Sequence, residues 1–327
     1  MEISNDLRRR FCKNANVPIN MFRDPYFIDR IHLFEEQYGA ITKYGGFCAD
    51  VRRLGSEQNY REHYNKVKDD AIDDIKSRVA FQEFNNREIK ENRGDAKIPP
   101  ISATTIFKPK HHGEWFISID MKQANFSALH HYSPAIFGNR DSWHDFISQF
   151  TDCRSIIDSK YVRQVILGNC NPRRQVSYEK SLMTELLSRL LDFIPADEFV
   201  YFSNDEIVVH DDEIRALLPP IAETVERYSH EFGLPFRVEH FRLLNIADNI
   251  GWAKTYDDFL FQLKCVDAEY MPMILRMIYE DAVRERDLYF EFKGSLARFE
   301  SVPSKIADND IIRGLHYMYK YHRVIEV

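Results

Sequence analysis

The spacing of apolar positions changes character along the chain. From 60 to about 89, apolar residues recur at Tyr64, Val67, Ala71, Ile75 and Val79, in steps of three and four. That is the spacing of an amphipathic helix. The residues between them (Lys66, Lys68, Asp69, Asp70, Asp73, Asp74, Lys76) form its solvated face. The first hundred residues therefore read as mainly helical. Asn92-Arg93-Gly94-Asp95 and Pro99-Pro100 close this region, making 92–100 the expected domain boundary. Beyond it, Trp115-Phe116-Ile117-Ser118-Ile119 is a short aromatic and β-branched run, a buried strand that ends at Asp120. A helix is expected from 122 to about 132, stopped before Pro134. Further helices are expected near 143–150 and 156–167, the second closed by Gly168 and Pro172. Over 181–193, Leu182, Met183, Leu186, Leu187, Leu190 and Leu191 form a stripe that only a core helix explains.

Phe199-Val200-Tyr201-Phe202 and Ile207-Val208-Val209-His210 read as two strands joined by the turn-rich Ser203-Asn204-Asp205-Glu206. An amphipathic helix follows, restarted or kinked at Pro219-Pro220, with Ile221, Val225, Tyr228 and Phe232 on one face. Gly233 closes it, and 236–244 gives another strand. The last seventy residues again look helical, with Tyr270, Met273, Ile274, Met277 and Ile278 as a stripe that serves the core or a partner surface.

Strand, helices, hairpin, helix, strand is the β-α-β-β-α-β order of a split ferredoxin-like antiparallel sheet, with helices inserted after the first strand. The predicted fold class is α+β. In that topology the first strand lies beside the hairpin, so Asp120 and Asp205 meet although 85 positions separate them. Adjacent carboxylates do not both stay ionised cheaply without cations between them. Mg²⁺, a hard ion that prefers oxygen ligands and phosphates, is the natural counter-charge. Two such ions about 4 Å apart clamp the attacking and leaving oxygens of a phosphoryl displacement.

Composition narrows the classes. At 327 residues, with 29% charged and 13% aromatic residues, the chain is neither disordered nor low-complexity and is long enough for about two domains. A formal net charge of −7 argues against a protein that merely coats nucleic acid. No apolar run approaches the ~18 residues of a membrane span, and the start lacks the apolar stretch of a secretory signal. Cys12, Cys48, Cys153, Cys170 and Cys265 are scattered, which reads as reduced thiols in a cytoplasmic compartment. The pairs His111-His112 and His130-His131 point their rings to different sides and are not expected to ligate metal. The most basic window, between Cys153 and Lys180, holds Arg154, Lys160, Arg163, Arg173, Arg174 and Lys180 against Asp158 and Glu179. Cations there suit triphosphate or template phosphates, although an ordinary solvated helix face explains them equally well.

These motifs resemble a known family. Phe116-Ile-Ser-Ile-Asp120-Met-Lys-Gln-Ala-Asn-Phe-Ser-Ala-Leu129 is similar to motif A of family A polymerases, roughly D-Y-S-Q-I-E-L-R, with Asp120 and Gln123 on matching positions. Ser203-Asn-Asp205-Glu206-Ile-Val-Val resembles motif C, V-H-D-E-L-V. Gly233-Leu-Pro-Phe-Arg-Val-Glu-His240 and Ile250-Gly-Trp252-Ala-Lys254 follow at comparable spacing, like the family's L-x-V-P-L-E-V-E-V and G-x-x-W-x-x-A-K, although Trp252 is also simply a packing residue. The likeness covers about 115–256. For motif B, R-x-x-x-K-x-x-x-F/Y-G, the nearest stretch is Lys160-Tyr-Val-Arg163-Gln-Val-Ile-Leu-Gly168, which lacks the upstream Arg and carries Leu167 before the glycine. Asn125 stands where DNA polymerases of the family carry a Glu that excludes ribose, and Asn204 replaces the motif C His.

The resemblance implies a polymerase palm at 101–257 with reduced helical fingers near 135–180, a thumb-like helical region at 1–100 and a helical region at 258–327. It implies a template-directed nucleotidyltransferase, a compact DNA polymerase acting on a nucleic-acid template and primer with nucleoside triphosphates. Asp120 and Asp205, with the carbonyl of Met121, would hold two Mg²⁺ or Mn²⁺ ions, and Glu206 would assist at the primer end. Gln123, Asn125, Lys160 and Arg163 would contact the nucleotide, with Arg173 and Arg174 near template or pyrophosphate. Two other readings stand beside it: a catalytically degenerate palm serving as a nucleic-acid-binding or structural subunit, and an RNA polymerase or single-nucleotide transferase on the same palm. The C-terminal helices are a candidate surface for a protein partner.

Overall fold

Burial along Trp115–Met121 (β1) is nearly continuous, as expected for a strand covered on both faces. The computed structural model describes residues 3–87, 101, 104–211 and 216–325, so the expected boundary at 92–100 lies outside the described residues. The other strands of the main sheet are Phe199–Phe202 (β2), Glu206–His210 (β3), Phe236–Ala247 (β4), Gly251–Thr255 (β5) and Phe261–Lys264 (β6). Their order is β2-β3-β1-β4-β5-β6. β1 runs antiparallel to both β3 and β4, with Asp120 opposite Glu206 on one side and Arg237 on the other. The four-strand part β2-β3-β1-β4 is the antiparallel arrangement expected of a β-α-β-β-α-β chain. The class is α+β, as the sequence predicts. Among the described residues no helix is long and apolar enough to cross a membrane.

Two compact units divide the chain differently from the expected 1–100, 101–257 and 258–327. One comprises 1–64, 153–161 and 243–327, the other 65–152 and 162–242. In the second unit, the helices Pro172–Leu190 and Leu218–Phe232 share a core with the sheet. Leu182, Met183, Leu186, Leu187 and Leu190 meet Ile117, Ile119, Ile207 and Val209, with Ile221, Val225 and Tyr228 completing the layer. Each fully buried leucine contributes roughly 1.5–3 kcal/mol. The buried Tyr228 hydroxyl donates to the Leu182 carbonyl at 2.8 Å, so the core gains an aromatic ring without orphaning its polar tip.

In the first unit, Arg30, Arg276, Asp29 and Asp287 form a buried ion cluster. Arg30 reaches Asp287 at 2.9 Å, and Arg276 reaches Asp287 at 3.1 Å and Asp29 at 3.0 Å. Gly251 opens β5 with φ 154°, and a side chain there would drive its Cβ into the Val266 side chain and backbone. The glycine of the Ile250–Lys254 landmark thus has a packing reason of its own.

Several elements differ from expectation. The 60–89 pattern resolves into two helices, Glu57–Ser77 and Val79–Asn86, separated where Arg78 turns extended (φ −70°, ψ 131°). The helices expected near 143–150 and 156–167 are Trp143–Ile147, the short Arg154–Ile157 and Lys160–Gly168. The core helix begins at Pro172 rather than 181, because proline is well tolerated in a first turn. For the same reason Pro219-Pro220 start the Leu218–Phe232 helix instead of kinking it, and Gly233 ends it in the left-handed conformation. The last seventy residues are not all helical: they hold β6 and a hairpin of Tyr289–Phe292 (β7) and Ser295–Arg298 (β8) besides helices Met271–Glu280, Ser304–Ala307 and Asp310–Ile325. Met273, Ile274 and Ile278 are fully buried, so the 270–278 stripe serves the core of its own unit.

Candidate active site

Period-two alternation sends Asp120 to the sheet face opposite the two core helices, since Ile119 and Met121 point into that core. On this second face, buried at Phe116 and Ser118 and accessible at the Asp120 end, β1, β3 and β4 form ordered rows. One row is Glu206, Asp120 and Arg237; the next is Val208, Ser118 and Glu239; the third is His210, Phe116 and Phe241. The end with Phe116 is closed by the segment before β1, where buried His111 packs on the Phe116 ring and hydrogen-bonds the Ile106 carbonyl at 2.7 Å. The other end is polar and accessible, and there the β2–β3 turn returns to β1.

The Met121 amide donates to the Asp205 carbonyl at 2.9 Å, which ties the end of β1 to the hairpin tip. Ser203 shapes that tip: its hydroxyl donates to Asp205 Oδ1 at 2.9 Å and accepts the Glu206 amide at 3.0 Å. Glu206 accepts a hydrogen bond from the Ser118 hydroxyl at 2.6 Å. Asp120 is 29% exposed and pairs with Arg237 at 3.1 Å, while Arg237 also reaches Glu239 at 3.4 Å. Burial raises the Asp120 carboxyl above its ordinary range; the Arg237 guanidinium opposes this, and repulsion from Glu206 and Asp205 adds to it. The site is therefore a carboxylate cluster partly neutralised by one exposed guanidinium.

A residue the sequence reading did not single out completes the hairpin's support. Glu179, on the Pro172–Leu190 helix and 3% exposed, accepts a hydrogen bond from the Asn204 side-chain amide. Burial pushes its carboxyl up to about 7, with the Asn204 hydrogen bond opposing and Asp205 adding repulsion. The signal was present in the spacing: Gln175 and Glu179 continue the stripe of Leu182, Met183, Leu186 and Leu190 toward the helix start, so a core face carries two polar residues. Gln175 is satisfied by the Leu167 carbonyl at 2.9 Å and by that of Cys170.

The other expected site residues divide. Gln123 is exposed, with φ 52°, at the turn before the Ala124–Tyr132 helix. Asn125 accepts from Arg163 Nε at 3.3 Å, and burial lowers the pKa of that guanidinium. Arg173 is exposed on the first turn of its helix. Arg174 is half-buried: its Nε bonds the Phe84 carbonyl and its guanidinium covers the Phe84 ring. Lys160 is exposed and belongs to the first compact unit, whereas Arg163, on the same helix, belongs to the second. The Met121 side chain is buried in the core, leaving only its main chain as a donor.

Among the described residues no group of three or more His, Cys, Asp or Glu side chains is gathered in a metal-holding arrangement. What the accessible end of this face does offer is carboxylate oxygens, from Asp120, Asp205 and Glu206, which is the donor chemistry that Mg²⁺ and Mn²⁺ prefer. No protein-family model, no curated protein and no solved structure matches this chain.

Proposed function

We propose that the chain is a template-directed nucleotidyltransferase, a compact DNA polymerase whose palm is the β2-β3-β1-β4 sheet. The observation that carries this reading is the meeting of Asp120 with the Asp205-Glu206 tip, two segments far apart in sequence, at the accessible end of one sheet face. Asp120 and Asp205 would hold Mg²⁺ or Mn²⁺, which when bound neutralises phosphate charge and aligns the reacting oxygens. The chain's own contribution is positioning and electrostatics. β1 and the hairpin hold the carboxylates on neighbouring strands, and Ser118 fixes the Glu206 rotamer. Arg163, oriented by Asn125, offers a fixed cation for a triphosphate.

A specific observation favours the second reading, a catalytically degenerate palm acting as a binding or structural subunit. Arg237 and Ser118 already satisfy Asp120 and Glu206, so the cluster is self-consistent without an ion. Primer extension separates the two. With labelled deoxynucleotides or ribonucleotides and Mg²⁺ or Mn²⁺, the parent chain should extend a primed template. Asp120→Asn and Asp205→Asn should each lose at least about 10²–10³ of that rate, the scale of removing one preorganised electrostatic group. The preferred nucleotide then reports the sugar selectivity that Asn125 leaves open. Variants that extend as fast as the parent would refute the site, and a parent that extends nothing would favour the subunit reading.

A further inference from the structure

The first unit carries a cationic pocket that the palm chemistry does not use. Arg9, Arg10 and Lys13 come from the Asn5–Ala15 helix, Arg61 from the Glu57–Ser77 helix and Tyr161 from the start of the Lys160–Gly168 helix. Together with Asp6 they line a cavity of about 250 Å³. Arg9 and Lys13 are four positions apart and so share a helix face. Arg10 is held by its own contact, its guanidinium 4.5 Å from the centre of the Tyr64 ring. Asp6 is the one carboxylate among the described lining residues, 3.3 Å from Arg9 and 4.0 Å from Arg61.

Four cations around one carboxylate is a local excess of positive charge in a chain whose formal net charge is −7. Gathering like charges from two helices is unfavourable by itself, so the arrangement is poised for an anion. Its donors are guanidinium forks, which match phosphate oxygens, and an ammonium point charge. The phenol ring of Tyr161 at the same pocket adds an aromatic face on which a base can stack.

We propose that this pocket binds phosphate oxyanions of a nucleic-acid backbone. Arg9, Lys13 and Arg61 take the phosphate oxygens, Tyr161 takes an adjacent base, and Asp6 competes with the ligand for the same cations. The site lies entirely within the first unit and does not depend on Asp120 or Asp205, so a failed polymerase assay leaves it standing.

The test uses the full chain and fluorescence anisotropy of a short labelled single-stranded oligonucleotide over a salt series, with tripolyphosphate as competitor. Arg9→Ala/Lys13→Ala should weaken oligonucleotide binding roughly tenfold and flatten the dependence of log K on log salt by about 1.4, from ~0.7 per lost contact. Asp6→Asn should change affinity in the opposite direction, tightening it, which a loss of folding does not do. Tripolyphosphate should displace the oligonucleotide only weakly, since it lacks a base for Tyr161. Equal binding by parent and double variant, with unchanged far-ultraviolet circular dichroism, overturns the proposal. So does a parent chain that binds tripolyphosphate but no oligonucleotide, because the ligand is then a free polyphosphate.

Discussion

Replacing Glu179 with Gln isolates the electrostatic cost of burying a carboxyl beneath the hairpin tip. In the unfolded chain this group ionises near 4.5, whereas in the folded chain burial pushes it up to about 7. The folded state therefore holds a proton that the unfolded state has released, and stability falls as pH rises through that window. The slope from this one group is about 1.4 kcal/mol per pH unit, and the full gap integrates to about 3 kcal/mol above pH 7. Glu179 is 3% exposed, so solvent screening takes little from that figure. Glutamine keeps the shape and an oxygen that accepts from Asn204, but it carries no charge to desolvate. Urea unfolding in buffer free of divalent ions, from pH 4.5 to 8.5, is the assay, with Trp115 and Trp143 of the same unit as fluorescent reporters. Near pH 4.5 the variant and parent should unfold within about 1 kcal/mol of each other, since the acid is then neutral in the folded chain and only about half ionised in the unfolded one. By pH 8 the variant should be the more stable by about 3 kcal/mol. A difference that stays flat across the series, or a variant that is weaker at pH 8, refutes the claim that Glu179 is buried against its own ionisation.

Two further substitutions probe the charge logic elsewhere. Arg237→Gln removes the guanidinium at Asp120, and isothermal titration with Mn²⁺ should then show tighter binding, up to about fivefold from the ~0.2–1 kcal/mol of an exposed ion pair; unchanged or weaker Mn²⁺ binding would mean that the ion does not use Asp120. Asp287→Ala strips the shared partner from buried Arg30 and Arg276, which should destabilise the first unit by about 3–5 kcal/mol in urea unfolding. A loss below about 1 kcal/mol would show that Asp29 suffices for both guanidinia.

The parts of the fold legible in the sequence were those fixed by local period. The β1 run, the hairpin and the two helices that cover the sheet follow from alternation, turn residues and stripes, and they suffice to bring Asp120 to Asp205. What stayed hidden depends on tertiary context. The break between Ser77 and Val79 carries neither glycine nor proline, so nothing in the apolar spacing announces it. β5, β6 and β8 are as short as β2 and β3, but they mix glycine, alanine, glutamine, lysine or arginine among their apolar positions, so they lack the unbroken aromatic and β-branched runs that mark the hairpin. Arg174 shows the same limit: the Phe84 carbonyl and ring that hold it lie 90 positions away, which no local window announces.

Glu179 is the more instructive case, because its signal was in the chain. A stripe that runs Gln175, Glu179, Leu182, Met183, Leu186, Leu190 places a carboxyl where the helix turns its apolar face to the sheet. Burying such a group is tolerable only with a hydrogen-bond partner and a strong push toward the neutral form. The partner turned out to be Asn204, beside Asp205. Where a core helix keeps a carboxyl on its inward face, the polar turn that it meets is the place to look for chemistry, and the acidic tip found there is the one that faces Asp120.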